Sequence, residues 1–503
     1  MNLFRTIGIF AFTFMAAYGA VAQDINADKS GACGPPNYTC SSTSTSTVGK
    51  LTALFSKSSP YNSTAYSPLN PTRDCITRIT DNNTKNPLSP KNDATTFSEG
   101  NLTTSGSDNE VMTSLTTQYV GIRANTGGTN VFHMDASGPC IQNVTSGTGN
   151  PSIAVAGPFS FSHVNDTVFY YVEDHHLLQK ATITSDKSYT LTNDSKFPFD
   201  FNKCPGPIEG GEAESGSSLS VSSTDTQFSV NISWTGGQGT SHLVLVYKPG
   251  SGCAVLDLAT GKRYSWCASN CSTKAAAGTE TVCTDPDYKK KEGIHDSAMS
   301  FDGKVVVIAG GCWNPLGYGN TALWQINTDT VLGTGSGSTT WGGGVNASGH
   351  ESVGVTGWLR TNYPSPNSRL VSPLSETTLS DYNSLNTLPS GAGGDGGFHG
   401  GWPHPAGDDS NAWILESANS DGYRNPGYLQ NEVFAITQTP DAPMPRFTPT
   451  YNSAKSKNFS CRYGIGFPSQ DGHWWFFLSD HLQTLGNDSK GHLLCSVFAV
   501  KLE

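Results

Sequence analysis

Ile294-His295-Asp296-Ser297-Ala298-Met299-Ser300-Phe301-Asp302-Gly303 runs into the stretch Lys304 to Ala309, and the whole reads as a strand, a tight Asp-Gly turn and a second strand. The same grammar returns in Arg462 to Phe467, the turn Gln470-Asp471-Gly472 and the following His473 to Leu478. A weaker copy spans Asn109 to Ser114 and then Gln118 to Arg123. Strand, polar turn and strand repeated at spacings of roughly 40 to 60 residues are the mark of propeller blades. The expected fold is therefore all-β.

Composition agrees. Only 14% of residues are charged and aromatics reach 10%, with 55 Gly, which suits many short strands joined by tight turns rather than amphipathic helices. Blade-like units span about 105 to 145, 155 to 200, 218 to 268, 290 to 335, 347 to 378, 395 to 440 and 460 to 503, which makes seven. Several carry a third strand of common flavour: Asn130 to His133, Ala254 to Asp257, Ala322 to Gln325, Glu432 to Ala435 and Ser496 to Ala499. The last unit lacks an outermost strand, and the isolated strand-like Cys75 to Thr80 can supply it. The expectation is a single seven-bladed β-propeller over residues 71 to 503, its ring closed by pairing N-terminal with C-terminal strands.

Residues 1 to 22 hold one Arg5, an apolar stretch from Ile7 to Ala20 and the ending Ala20-Val21-Ala22, the pattern of a cleavable secretory signal. Residues 23 to 70 are rich in Ser, Thr, Asn and Pro and read as an extended arm. No further apolar run reaches a membrane span, so a secreted, extracellular protein and no membrane partner are expected. All 12 Cys lie beyond the signal, an even number that favours disulfides, with Cys253, Cys267, Cys271 and Cys283 forming one group and Cys461 and Cys495 another. Asn-x-Ser/Thr sequons recur, among them Asn165, Asn193, Asn231 and Asn487. In a eukaryotic secretory pathway several would carry glycans; in a bacterium they only reflect composition. A net charge of -11 argues against a nucleic-acid partner, and the one basic run, Lys289-Lys290-Lys291, reads as a solvated loop.

Placing the repeats in register aligns Asn109, a position near Gly157, a Ser near Ser222, then His295, His350, His399 and Arg462. In a propeller the first residues of the innermost strands form a ring at one end of the central channel. Three His and an Arg from consecutive blades would then converge, and unsolvated polar groups without partners cost about 1 to 3 kcal/mol each. Two chemistries suit them. His295, His350 and His399 can ligate one divalent metal ion (Ca, Mn or Zn), leaving positions open for substrate oxygen. Without a metal, a His can act as general base while Arg462 holds a substrate carboxylate bidentately and Tyr463 donates a proton. Both suit removal of a proton beside a uronate carboxyl, where negative charge develops. A third possibility is structural: inner-strand His can plug the channel through water and backbone bonds.

The string Gly393 to His404 is the most unusual local feature, with Gly so dense that backbone either turns sharply or approaches a ligand closely. Within it Trp402 can stack on a sugar and His404 can transfer a proton; Asn109 joins them as a substrate-binding candidate. His133, His163, His175, His176 and His242 read as surface or packing residues. No Gly-x-Ser-x-Gly elbow is present, which removes esterase chemistry.

Ser300-Phe301-Asp302-Gly303-Lys304, preceded by His295, resembles the Ser-Pro-Asp-Gly-Lys repeats of TolB-like propellers. The His residues at inner-strand starts look like those of oligogalacturonate-lyase-like propeller polysaccharide lyases, in which His and Arg on one face serve in metal binding, base catalysis and carboxylate neutralisation. The resemblance implies a lyase acting on an acidic polysaccharide by β-elimination, with His295, His350, His399 and Arg462 as functional residues; with Tyr463 as proton donor these form the expected catalytic set, and a monomer is expected. A non-catalytic glycan- or protein-binding propeller and a glycoside hydrolase on the same scaffold are the alternatives.

Overall fold

The computed structural model describes residues 76–78, 111–123, 129–134, 153–185, 188–206, 208, 211–213, 219–234, 241–257, 262–267, 294–310, 320–328, 330–332, 352–355, 357–361, 369–373, 385–386, 398–401, 414–418, 432–436, 446–450, 466–480, 483, 487, 493 and 495–501. Strand β1 (Ile76–Arg78) is followed by a first sheet of β2 (Tyr119–Arg123), β3 (Thr129–His133) and β4 (Ile153–Val155). The second sheet holds β5 (Phe159–Phe161), β6 (Val168–Glu173), β7 (Leu177–Ser185), β8 (Ser188–Leu191) and β9 (Phe199–Asp200). The third holds β10 (Gly211–Ala213), β11 (Leu219–Val221), β12 (Phe228–Trp234), β13 (Ser241–Lys248), β14 (Gly252–Asp257) and β15 (Lys262–Cys267). In the fourth are β16 (Ile294–Met299), β17 (Val305–Gly310), β18 (Asn320–Gln325) and β19 (Thr330–Leu332), and in the fifth β20 (Ser352–Val353), β21 (Gly357–Thr361), β22 (Arg369–Pro373) and β23 (Leu385–Asn386). The sixth comprises β24 (Phe398–Gly401), β25 (Ile414–Ala418), β26 (Glu432–Ile436) and β27 (Arg446–Pro449); the seventh is β28 (Gly466–Pro468), β29 (Trp474–Ser479) and β30 (Ser496–Lys501).

The sheets are antiparallel and mostly meander in chain order, but β9 pairs with β7, and β10 and β11 both pair with β12. In addition β1 lies antiparallel to β30 with Ile76 opposite Val500 and Arg78 opposite Phe498, so the expected N-terminal strand does complete the last sheet. The protein is all-β; helical structure among the described residues is confined to short 3-10 turns such as Phe201–Lys203. No described helix is long and apolar enough to cross a membrane.

The middle strands read as unbroken apolar runs because both of their faces are covered. Along β13, Leu243, Leu245 and Tyr247 enter one core while Val244 and Val246 enter another. Along β6, Val168, Tyr170 and Val172 join the core shared with the third sheet, and Phe169 and Tyr171 join the core shared with the first. Successive side chains of a strand point to opposite faces, so every such strand serves two interfaces at once. The first core also contains Phe467, Phe476, Leu478, Val497 and Ala499 of the seventh sheet together with Val111 and Met112 ahead of the first. The first strands follow one another in space as they do in sequence: β5 touches β11, β11 touches β16, β16 touches β20, β20 touches β24 and β24 touches β28.

Three expectations are corrected. Ile153–Val155 falls before the expected second unit and instead edges the first sheet, pairing with Thr129 to Val131. Ala254 to Asp257 belongs to the fourth strand counted from β11, because β13 intervenes and β15 extends the third sheet outward. Cys253 bonds Cys204 rather than a member of its own Cys group, with Cα atoms 5.6 Å apart, tying the second sheet's exit to the third sheet's core. The Gly-rich string also has a plainer role in part. Phe398–Gly401 is a strand, and a Cβ on Gly401 would lie 2.2 Å from Cδ of Pro468, so glycine there permits close contact between the sixth and seventh sheets.

Truncation tests the β1 pairing. A chain beginning at residue 71 should unfold like the mature protein, whereas one beginning at residue 81 should lose about 1 to 3 kcal/mol for the missing ladder bonds and aggregate through the bared β30 edge. Thermal unfolding with light scattering compares the two.

Candidate functional site

A serine-centred turn links first and second strands. Ser114, Ser222, Ser300 and Ser469 each accept a bond on Oγ from the backbone N–H five residues on, at Tyr119, Gln227, Val305 and Trp474 respectively. In each, the residue three after the serine donates its N–H back to the serine carbonyl. Those residues, Thr117, Asp225, Gly303 and Gly472, all have left-handed backbone, with φ of 56°, 54°, 72° and 72°. That conformation explains Gly at two of them. Ser162 occupies the same place in the second sheet with a turn one residue longer, accepting from Val164 N and Asn165 N. Serine recurs because its buried hydroxyl satisfies turn amides that strand pairing cannot reach.

The residue after Ser162, Ser222, Ser300 and Ser469 bonds toward another sheet. Gln470 spans three of them: its N–H bonds Thr113 Oγ1 at 2.8 Å, and its Nε2 donates to the carbonyls of Thr113 at 2.6 Å and Ser162 at 3.1 Å. His163 N–H donates to Asp225 Oδ1 at 2.9 Å, while its ring meets Phe301 edge-on with centroids 4.8 Å apart. Ser223 N–H bonds the Phe301 carbonyl at 2.7 Å, and Phe301 N–H bonds the Gly354 carbonyl at 3.1 Å. Thr117 Oγ1 donates to Asp471 at 2.8 Å. A polar joint thus runs through the turns of the seventh, first, second, third, fourth and fifth sheets.

Its electrostatic centre is His163. The two amide donations fix Gln470 so that its Oε1 faces His163 Nδ1 at 3.1 Å, and the imidazole N–H donates to it. Burial drives this ring down to about 4, against the opposing pull of Asp225 and of bonds to Gln470 and backbone Val221. Asp225 also accepts from Ser162 Oγ and from the Tyr170 hydroxyl at 3.0 Å. Burial, then the Asp225 charge, holds the Tyr170 phenol well above its ordinary range, so it stays a donor. These are properties of a clasp: a buried neutral imidazole and phenol, with Asp225 engaged by three donors. His163 was expected among surface or packing residues; the recurring serine ahead of it is the signal that assigns it to the joint.

His295, of the sequence-derived site, lies five residues ahead of the turn serine Ser300, about 16 Å away along extended chain. His295 lies on β16, where the ladder slips between Ile294 and Asp296, leaving His295 as the extra residue of a bulge. Bulges re-aim side chains and recur beside active sites. His399 lies on β24 opposite Ser417. Asn109, His350, Trp402, His404, Arg462 and Tyr463 lie outside the described residues. The turns do refine the alignment. Asn109, Gly157 and His295 each stand five residues before their turn serine, but Arg462 stands seven before Ser469, and Ser222 is itself a turn serine rather than a strand start. Among the described residues no group of three His, Cys, Asp or Glu is placed to hold a metal.

No family model matches the chain. No curated protein matches its sequence. Among solved structures it is similar to an oligogalacturonate lyase from Vibrio parahaemolyticus, at 9% identity and a TM-score of 0.46, covering 85% of this chain and 93% of that one. It is also similar to U3-55K, at 10% identity and a TM-score of 0.36, covering 79% of this chain and 95% of that one. Both are weak likenesses at the level of fold.

Two outcomes are expected of the joint. Gln470→Ala should cost about 2 to 4 kcal/mol, because buried carbonyls of two sheets lose their donor. His163 also imposes a pH dependence. The unfolded ring titrates near 6.5 and the folded one near 4, so the unfolded state holds the extra proton between those values. Its contribution is complete above pH 6.5 and falls, by on the order of 3 kcal/mol, as pH drops toward 4. Denaturant unfolding between pH 4 and 7 should give a flatter profile for His163→Gln than for the wild type; identical slopes would remove His163 as the source.

Proposed function

We propose that the seven sheets are the blades of one closed propeller and that the protein is a secreted polysaccharide lyase acting on a uronate-containing substrate. The support for closure is that the cores and bonds joining neighbouring sheets include a junction between the seventh and the first. The observation that carries the functional reading is positional. β16, β20, β24 and β28 are successive neighbours, and His295, His350, His399 and Arg462 fall on or shortly before them in sequence.

On this reading a His removes the proton beside the substrate carboxylate. Arg462 neutralises the charge that builds on that carboxylate, and the electron pair expels the glycosidic oxygen, which takes a proton from Tyr463. The product carries an unsaturated uronate end. His295, His350 and His399 act either as the base and its supports or as ligands of one divalent ion; a bound ion would supply further neutralisation of the carboxylate. The polar joint supports this choice of face, since saturated bonds at the turn end leave little there to engage a charged sugar.

Ultraviolet absorbance of the purified protein incubated with uronate polysaccharides, with and without chelator, tests the proposal. Rising absorbance establishes elimination, and its loss on chelation assigns the three His to a metal. His350→Ala and Arg462→Ala should each abolish the signal while circular dichroism stays unchanged; full activity in either overturns the mechanism. New reducing ends without absorbance would indicate a hydrolase, and no product at all a binding propeller.

A further inference from the structure

The fold sorts the sequons. Asn165 is exposed in the turn after β5, and its Oδ1 accepts bonds from Thr167 N–H at 2.9 Å and Thr167 Oγ1 at 3.0 Å. The bonds within the sequon engage Oδ1, and the Asn165 side chain belongs to an exposed residue. Asn193 is exposed just beyond β8, in a turn held by Asp194, whose Oδ1 accepts from Lys196 N–H and Phe197 N–H. Ser195, which completes that sequon, is exposed as well. Asn231 is the opposite case. It lies mid-strand in β12 opposite Val244, is 1% exposed, and accepts a bond from Ser297 Oγ of the fourth sheet.

We propose that Asn165 and Asn193 are N-glycan attachment sites and that Asn231 is closed to modification in the folded protein. The proposal rests on the secretory reading of residues 1 to 22. The group enters from a lipid-pyrophosphate-linked oligosaccharide. Asparagine Nδ2 forms a bond to the anomeric carbon, the bond from that carbon to the pyrophosphate breaks, the amide gives up a proton, and the lipid pyrophosphate leaves. A sugar is bulky and hydrated, so it needs an anchor in solvent. On Asn231 it would have to occupy the interface between the third and fourth sheets, whose packing leaves no such space. On Asn193 it would stand over β8, the outer edge of the second sheet, where Leu191 is 46% exposed. Natural sheets blunt such edges against pairing with other chains, and a glycan serves that end.

The test expresses the full chain with its own leader in yeast and collects the secreted protein. Glycans are released enzymatically in heavy-oxygen water, which marks each formerly occupied Asn as a heavy Asp, and peptides are mapped by mass. Marks at Asn165 and Asn193 with none at Asn231 are expected. Asn165→Gln and Asn193→Gln should each remove one glycan's mass without reducing secretion. A protein that has lost its leader yet carries no mark at Asn165 or Asn193, or that carries one at Asn231, overturns the assignment alone. Retention in the cell with the leader intact overturns the secretory reading and the assignment together.

Discussion

Burial of both faces of the middle strands, seen in β6 and β13, is the constraint from which most of the described structure follows. A strand such as β13, with Leu243 and Leu245 in one core and Val244 in the next, cannot be satisfied by a single neighbour. Such a strand needs a neighbour on either side, and the first core accordingly gathers residues of the first, second and seventh sheets. This accounts for the low proportion of charge, 14% of residues, and for middle strands without hydrophobic alternation. Polar residues are displaced to turns and edges, where chemistry and modification become possible.

At the turns, polarity is used rather than avoided. Serine hydroxyls complete the backbone bonding of tight bends, and the next residues of the turns, Gln470 and His163, carry bonds across sheets. Apolar contact alone is tolerant of sliding; bonds with fixed direction are not. Gln470, with its donors on two carbonyls and its oxygen toward His163, sets the seventh sheet against the first and second at one height. The sequence ahead of the first strands is rich in Gly and Ser, and loops set on a rigid scaffold are where function is commonly grafted.

Much of this was legible. The Ser300 to Gly303 phrase defined the turn, and its echo at Ser469 to Gly472 proved to be the same turn in backbone conformation. The pairing of Ile76–Arg78 with the last sheet followed from a missing outer strand. Illegible features have physical reasons. The third sheet's added depth escaped because β13 and β14 carry equally apolar runs, and nothing local says which lies further out. Cys204 to Cys253 is a contact between sheets, invisible to grouping by proximity in sequence. Arg462 stands two residues further from its turn serine than His295 does from Ser300, a difference the repeated phrase alone does not reveal. His163 stood out in neither periodicity nor motif, since its partners come from sheets far away in the chain.

The meeting of first and last segments has a consequence for how the molecule forms. Thr117 and Asp471 lie 354 residues apart, and β1 finds its partner later still. During synthesis the early sheets emerge with one face bare and no partner in existence, so native topology cannot be reached until the final strands are made. Folding of this kind is dominated by non-local contacts and is slow. Exposed apolar faces in the interim make the nascent chain a client for chaperones and a hazard to itself.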